Sequence, residues 1–365
     1  MQFNVKKTDF LKGLQTVQNA IAQKNTLPIL SNLLIEVDNN EAKITATDLD
    51  IGISSKVAVT TKETGSITVP AKKLVDIIKE LPDENEVSIT LKKNNMITID
   101  CKNVQCKIIG LPKDEFPQMP DFKEKDAILL PQKLLKEMLA QTNFAASKDE
   151  TRYVLNGVLF MIKKDKMQIV ATDGRRLALS SRVLPEEIGA EKKAIVPTRT
   201  VQELLKILGD DKNVKVIMTD NQIFFDIDKT NIISRLIDGD FPNFDDVIPK
   251  EKKDKAKIER TGLLAATKRA SLFTNPDSMA VKMDFAKNKL IISKNSPFLG
   301  EVREELTVSY GGKTLTIGFN PSYIIDLLNN IKENEIEIEL EDIDKPAVIR
   351  KNTEYVYVVL PMQLS

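Results

Sequence analysis

Histidine is absent from the 365-residue chain. That removes Ser-His-Asp and Cys-His nucleophilic triads and histidine metal centres together. Neither GxxxxGK[ST] nor GxGxxG occurs, so no phosphate-cradling loop is written in the sequence. Carboxylates could still bind magnesium, but the acids sit singly between apolar positions or in turns such as Asp38-Asn39-Asn40 and Asp210-Asp211. No catalytic residue, metal site or cofactor is expected. Cysteine is scarce: Cys101 and Cys106 lie five apart in a strand-like run, point to opposite faces, and are expected to stay unbridged in a reducing cytosol. No apolar run approaches membrane-spanning length, and Met1 to Val5 carries no apolar signal segment, so a cytoplasmic protein without membrane contact is expected. Charge of one sign is missing too. The 53 basic residues meet 53 acidic ones, which argues against a wholly basic coat on nucleic acid but allows a positive face.

Repetition is what the chain has. Ala46-Thr47-Asp48 returns as Ala171-Thr172-Asp173, 125 residues on, and Val69-Pro70 returns as Val196-Pro197 after 127. Leu111-Pro112 to Phe116-Pro117 is echoed by Leu236-Ile237 to Phe241-Pro242, and a third copy carries Phe319-Asn320-Pro321. Units of about 120 residues are large enough for each to own a core. The expected domains are residues 1–124, 125–250 and 251–365.

Within a unit the pattern reads β-α-βββ, twice. The first predicts strands at Gln2–Val5, Leu33–Val37, Lys43–Thr47, Ile51–Val59 and Ile67–Val69, with a helix from Thr8 carrying Phe10, Leu14, Val17 and Ile21 at helical spacing. A second helix spans Ala71–Leu81, and strands follow at Glu86–Leu91, Met96–Cys101 and Val104–Ile109. In the second unit strands are expected at Gly157–Ile162, Lys166–Ala171 and Arg176–Ser181, and helices from Pro131 and over Thr198–Leu208. In the third, helices fall near Thr261–Leu272 and Pro321–Ile331, and lysine-rich linkers are read near Phe122–Lys125 and Lys250–Lys257. The fold class is α+β: three repeated domains, each with two helices on antiparallel sheet.

Lysines recur opposite the apolar stripes: Lys7 and Lys12 on the first helix, Lys72, Lys73 and Lys79 on the next, then Lys133, Lys136, Lys206, Lys268 and Arg269. Singly, each is a solvated helix residue. As a set they suit a loose, salt-sensitive hold on phosphate backbone without base readout.

At Ala171-Thr172-Asp173-Gly174-Arg175-Arg176-Leu177 the chain resembles a known family. With Thr26-Leu27-Pro28-Ile29-Leu30, Arg152 to Gly157, Leu236 to Pro242 and Val358 to Leu364, this run closely resembles the bacterial DNA polymerase III beta subunit, the sliding clamp, over essentially the whole chain. The resemblance implies the DNA clamp fold and a ring-shaped homodimer around duplex DNA, which tethers the replicative polymerase for processive synthesis. It implies partners that dock by peptides: the polymerase alpha subunit, the clamp-loader delta subunit, and repair and translesion polymerases. Their groove would use Leu155, Thr172, Gly174, Arg175, Arg176, Leu177, Pro242 and Val247, with Asn320, Tyr323, Val359, Leu360, Pro361 and Met362. On periodicity alone, Leu155, Leu177 and Val247 read as core. Met362 follows the last strand, where a hydrophobe has less core to join. DNA-facing residues would be Lys24, Lys73, Lys148 and Tyr153. The subunit joint would set strand Val104–Ile109 of one chain against the strand near Glu301–Leu306 of the other, with Cys106 and Ile108 meeting Leu272 and Phe273. Arg175 and Asp246 depart from many relatives, which carry histidine and a basic residue there. A monomeric three-repeat scaffold that does not encircle DNA is the alternative; a carboxylate nuclease or phosphatase is the weaker rival.

Overall fold

A computed structural model of the chain describes residues 1–21, 27–83, 85–120, 122, 127–250 and 254–364, with backbone alone for 185–190. The first domain runs β1 (Gln2–Lys6), α1 (Lys7–Val17), β2 (Asn32–Asp38), β3 (Glu41–Thr47), β4 (Ile51–Ala58), β5 (Thr60–Glu63), β6 (Gly65–Pro70), α2 (Ala71–Glu80), β7 (Glu86–Leu91), β8 (Met96–Cys101) and β9 (Val104–Ile109). The second has β10 (Ile128–Pro131), α3 (Gln132–Thr142), β11 (Gly157–Thr172), β12 (Arg176–Pro197), α4 (Thr198–Ile207), β13 (Asn213–Met218), β14 (Gln222–Ile227) and β15 (Thr230–Arg235). The third follows with β16 (Lys255–Glu259), α5 (Arg260–Ser271), β17 (Val281–Ala286), β18 (Lys289–Ser296), β19 (Gly300–Thr307), β20 (Leu315–Phe319), α6 (Pro321–Asn330), β21 (Glu335–Glu339), β22 (Ala347–Lys351) and β23 (Tyr355–Val359). This is the expected α+β architecture of three domains with helices packed on antiparallel sheet.

Helices form where apolar residues recur on one face. In α1, Phe10, Leu14 and Val17 are buried, and the helix closes against β4 so tightly that a Cβ on Gly13 would lie 2.5 Å from Val57 Cγ2. The expected register extended to Ile21; the helix stops at Val17 and tightens into a 3-10 turn over Gln18–Ala20. The α6 start is fixed by Pro321 in its first turn and by Asn320 Oδ1, which accepts from Ser322 N at 3.0 Å.

Three differences from the sequence reading stand out. Where two strands were expected, β11 is one, with register shifts between Ile162 and Lys164 and between Lys164 and Lys166, and φ +53° at Lys164. The expected Arg176–Ser181 strand continues to Pro197 as β12. The presumed linker at Lys250–Lys257 gives way to β16 from Lys255, because its alternating Ala256 and Ile258 bury against β21. Cys101 and Cys106 lie on β8 and β9, the two strands expected to hold them, both as free thiols.

Two compact units divide the chain, 1–134 with 202–236, and 135–201 with 237–365. The division cuts through the second domain because sheets are continuous across domain junctions. In the first unit, β15 pairs with β4, joining an eight-stranded sheet ordered β10-β13-β14-β15-β4-β3-β2-β6, beside a five-stranded sheet β5-β1-β7-β8-β9. In the second, β12 pairs with β23 in a six-stranded sheet β11-β12-β23-β22-β21-β16, beside a four-stranded sheet β19-β18-β17-β20.

Candidate functional site

The repeated Thr-Asp motif is turn chemistry. After β11, Thr172 Oγ1 donates to Arg176 O at 2.6 Å and accepts from Gly174 N at 3.1 Å, while Asp173 Oδ1 accepts from the amides of Arg175 and Arg176 at 2.9 and 3.1 Å. Side-chain oxygens thus replace ladder partners and hold the hairpin shut. The first copy repeats this: Thr47 Oγ1 donates to Ile51 O, and Asp48 Oδ1 accepts from Asp50 and Ile51 amides at 3.1 and 2.9 Å. The third turn position has φ +81° at Leu49 and +83° at Gly174, so glycine relieves in the second copy what leucine bears in the first. Arg152 Nη1 donates to Asp173 O at 2.8 Å and would lie 2.8 Å from a Cβ on Gly174.

Arg176 carries this turn into the rest of its unit. The residue is 7% exposed; its guanidinium pairs with Asp173 at 3.1 Å and Asp326 at 2.7 Å, and donates to Phe144 O at 2.6 Å. Its central carbon lies 4.4 Å from the Tyr323 ring centroid and 5.6 Å from that of Phe144. Burial opposes the charge, but the Tyr357 oxygen, the Asp326 hydrogen bond and the two carboxylates together outweigh it and hold the group above the ordinary arginine value. Tyr357, its phenol pushed up by burial and therefore neutral, donates to Tyr323 O at 2.9 Å.

The chain end lies alongside. Leu360 N donates to Arg175 O at 2.9 Å and Met362 N to Gly318 O at 2.8 Å, leaving Leu360 exposed and Pro361 and Met362 half-buried. Beneath runs an apolar cluster that includes Leu159, Val170, Leu177, Ile237, Phe244 and Val358, with Val154, Phe241 and Ile248 partly buried against it. The structure therefore brings Thr172 to Leu177, Asn320, Tyr323 and Val359 to Met362 together. The loop holding Pro242 approaches through Gly239, where a Cβ would lie 3.1 Å from Val154.

The individual placements differ from a uniform lining. Leu177 and Val359 are buried floor, and Asn320 is the buried cap of α6. Leu155 is half-buried; Arg175 and Pro242 are exposed, and Val247 at 54% is far from the core position that periodicity suggests. Asp246, also exposed, accepts from Asn243 Nδ2 at 2.6 Å. Phe144, Arg152 and Asp326 were missed as site residues. Only the Asx turn around Asp173 had a local signal; the others reach the site through contacts tens of residues away.

Of the nucleic-acid candidates, Lys73, Lys148 and Tyr153 are exposed, and Lys24 lies outside the described residues. Lys7 is a correction: it is buried, its Nζ donating to Leu81 O and to Asp83 Oδ1 at 2.6 Å, because the loop after α2 supplies the acceptors. Arg269 binds Glu304 through two hydrogen bonds of 2.8 and 2.5 Å, and Lys206 binds Glu203 at 2.7 Å. Lys12, Lys72, Lys73, Lys79, Lys133 and Lys268 are exposed, as are Lys206 and Arg269 with their acidic partners. Asp149 is occupied by its own loop; the Thr151 hydroxyl and amide, with Arg152 nearby, hold its carboxyl below the usual range.

At the expected joint, β9 and β19 are each the last strand of a sheet. Cys106 and Phe273 are half-buried and Leu272 is 74% exposed. Ile108, at 7%, packs into its own domain, since β9 alternates and turns Gln105, Lys107 and Ile109 outward instead. Among the described residues, no group of three or more Cys, Asp or Glu is placed to hold a metal ion, and no helix is long and apolar enough to cross a membrane.

Comparison with known proteins agrees over the full length. Residues 1–120, 129–243 and 245–363 match in turn the N-terminal, central and C-terminal domains of the DNA polymerase III beta subunit. The beta sliding clamp of Escherichia coli strain K12 is 33% identical over 368 aligned positions, covering all of both chains. The DNA polymerase sliding clamp of Bacillus subtilis superposes with a TM-score of 0.94 at 30% identity, covering all of both chains. A Pseudomonas aeruginosa sliding clamp solved with griselimycin bound also gives 0.94 at 30% identity and full coverage of both.

Proposed function

The chain belongs to the DNA polymerase III beta subunit family, and from that membership we propose that it closes with a second copy into a ring around duplex DNA. It is a non-catalytic sliding-clamp subunit of DNA replication. The observation that carries the ring is a pairing rule with two strands left over. In each domain, the third strand after the second helix is β9, β15 or β23; β15 pairs with β4 and β23 with β12, both of which follow the first helix of the preceding domain. Applied once more, the rule leaves β9 without a predecessor and β19 without a successor. Among the described residues each is the last strand of its sheet, and a second copy would continue both sheets, β9 on β19. β9 presents Lys107, and β19 carries Glu301 beside Glu304 and Glu305, which pair with Arg269 and Lys289 of the same chain.

Within that ring, domains bounded as 1–124, 125–250 and 251–365 present Lys73, Lys148, Tyr153 and, outside the described residues, Lys24 toward DNA. The phosphate hold is weak, and topology supplies retention. The Arg176 turn and the Val359–Met362 segment form the groove for polymerase, clamp-loader and repair-polymerase peptides. Apolar walls around few polar groups suit a groove shared by several partners. The protein works in the cytoplasm. Retention on DNA tests the reading: loaded by an ATP-driven clamp loader onto a nicked circle, the dimer should survive moderate salt and leave when the circle is cut. Salt weakens phosphate contacts but does not open a closed ring. Equal loss from circular and linear DNA, with the protein still dimeric, refutes encirclement.

A further inference from the structure

Arg176 has two carboxylate partners, and only one belongs to its own turn. Asp173 lies three residues back in the hairpin. Asp326 comes from α6, and its Oδ2 takes Arg176 Nη1 at 2.7 Å, the shorter of the two contacts. The same helix carries Tyr323 three residues earlier, so the two side chains share a helix face and meet the guanidinium from one side. A cation over a ring is held within a broad shallow well, whereas an ion pair with a hydrogen bond has a definite distance and direction. Stacking alone therefore leaves the ring free to slide over Arg176; the Asp326 contact removes that freedom. The Tyr323 backbone is pinned separately by Tyr357, at 2.9 Å, so what Asp326 adds is control of the ring.

We propose that Asp326 is a positioning residue for the peptide groove: through Arg176 it holds the Tyr323 ring against the Thr172–Arg176 turn, so the groove is formed before a peptide arrives. The inference rests on the groove reading above. Asp326 itself makes no contact with the peptide. Its contribution is preorganisation, since a ring already in place need not be ordered on binding.

A double-mutant cycle tests it, using Asp326→Asn, Tyr323→Ala and both together in the full-length dimer. The probe is a short synthetic polymerase-derived peptide with a terminal aromatic or leucine anchor, titrated calorimetrically. Asparagine keeps the shape, and Asp173 remains to pair Arg176. Asp326→Asn should weaken the peptide roughly tenfold, and the same replacement in Tyr323→Ala should change affinity by less than about twofold. Asp326→Glu should recover part of the loss. Dimer mass and retention on circular DNA should be unchanged. Equal loss in both backgrounds, or none in the first, overturns the role of Asp326. A second readout needs no peptide: the chain has only five tyrosines, so with labelled tyrosine the Tyr323 ring signals should be resolvable by NMR. They should shift or broaden in Asp326→Asn, and an unchanged ring spectrum also overturns the proposal. Failure of the unmodified protein to bind the peptide, with the ring shift present, would instead refute the groove reading.

Discussion

Replacing Leu272 by alanine should loosen the dimer without loosening the fold. The side chain follows α5 with 74% of its surface in water, so its own domain gains little from it. Complete burial of a leucine contributes about 1.5–3 kcal/mol, so three-quarters of that, about 1–2 kcal/mol, is available to a joint. A closed ring has two equivalent joints, and both lose the side chain. The dimer should therefore weaken by about 2–4 kcal/mol, a rise of about 30- to 1,000-fold in dissociation constant. Ile108→Ala is the contrasting control. Its side chain is 7% exposed in the monomer, so truncation opens a cavity and costs folding about 2–5 kcal/mol. Sedimentation equilibrium over a wide concentration range reads the first effect and thermal unfolding by circular dichroism reads the second. Leu272→Ala with a dimer constant within about threefold of wild type, at unchanged melting temperature, would refute the placement of the joint.

Three further outcomes are expected. Met362→Ala, or deletion of residues 361–365, should weaken a polymerase-derived peptide by about tenfold through loss of about 1–3 kcal/mol of apolar contact, with dimer mass unchanged by sedimentation. Gly174→Ala forces a side chain onto φ +83° and toward Arg152 Nη1 at 2.8 Å, so it should destabilise the turn by about 1 kcal/mol or more and lower peptide affinity in the same calorimetric titration. Glu304, held below the ordinary glutamate range by hydrogen bonds from Arg269, and Asp149, lowered by Thr151, contribute stability that is complete above the usual carboxylate range and is lost as pH falls through their folded-state values. Melting temperature by scanning calorimetry should therefore drop between about pH 5 and pH 3; with no histidine to titrate, it should show no step between about pH 5.5 and pH 7.

Much of the local structure was readable because its causes are local. The strands β7, β8 and β9 fall on the residues that alternation predicts, and α2 ends within one residue of its expected limit. Thr172 and Asp173 close a turn with atoms two to four residues away, which is why the motif could be copied intact from Thr47 and Asp48. The long β11 and the strand at Lys255–Glu259 were misjudged, since polar residues there read as turn and linker until pairing partners supply hydrogen bonds.

The site was less readable. Lys7 looks like any solvated helix lysine, yet Leu81 and Asp83 draw it inward from 74 and 76 residues away. Asp326 looks like an acid on an amphipathic helix, and only folding brings it onto Arg176, 150 residues distant. Ile108 and Ile109 are neighbours of like hydrophobicity, and only the pleat decides which one enters the core.

By itself the sequence determined the three-fold repetition, the order of helices and strands within each repeat, the hairpin turns, and the absence of imidazole chemistry. Those properties depend on side-chain type and on spacings of two to four residues, which every chain segment carries with it. Tertiary structure decided which strand edges meet, β15 on β4 and β12 on β23, which edges stay open, and which charge lies over which ring. A strand's backbone offers the same hydrogen bonds to any partner, so the choice among edges is made by the packing of whole domains rather than by the strand's own residues.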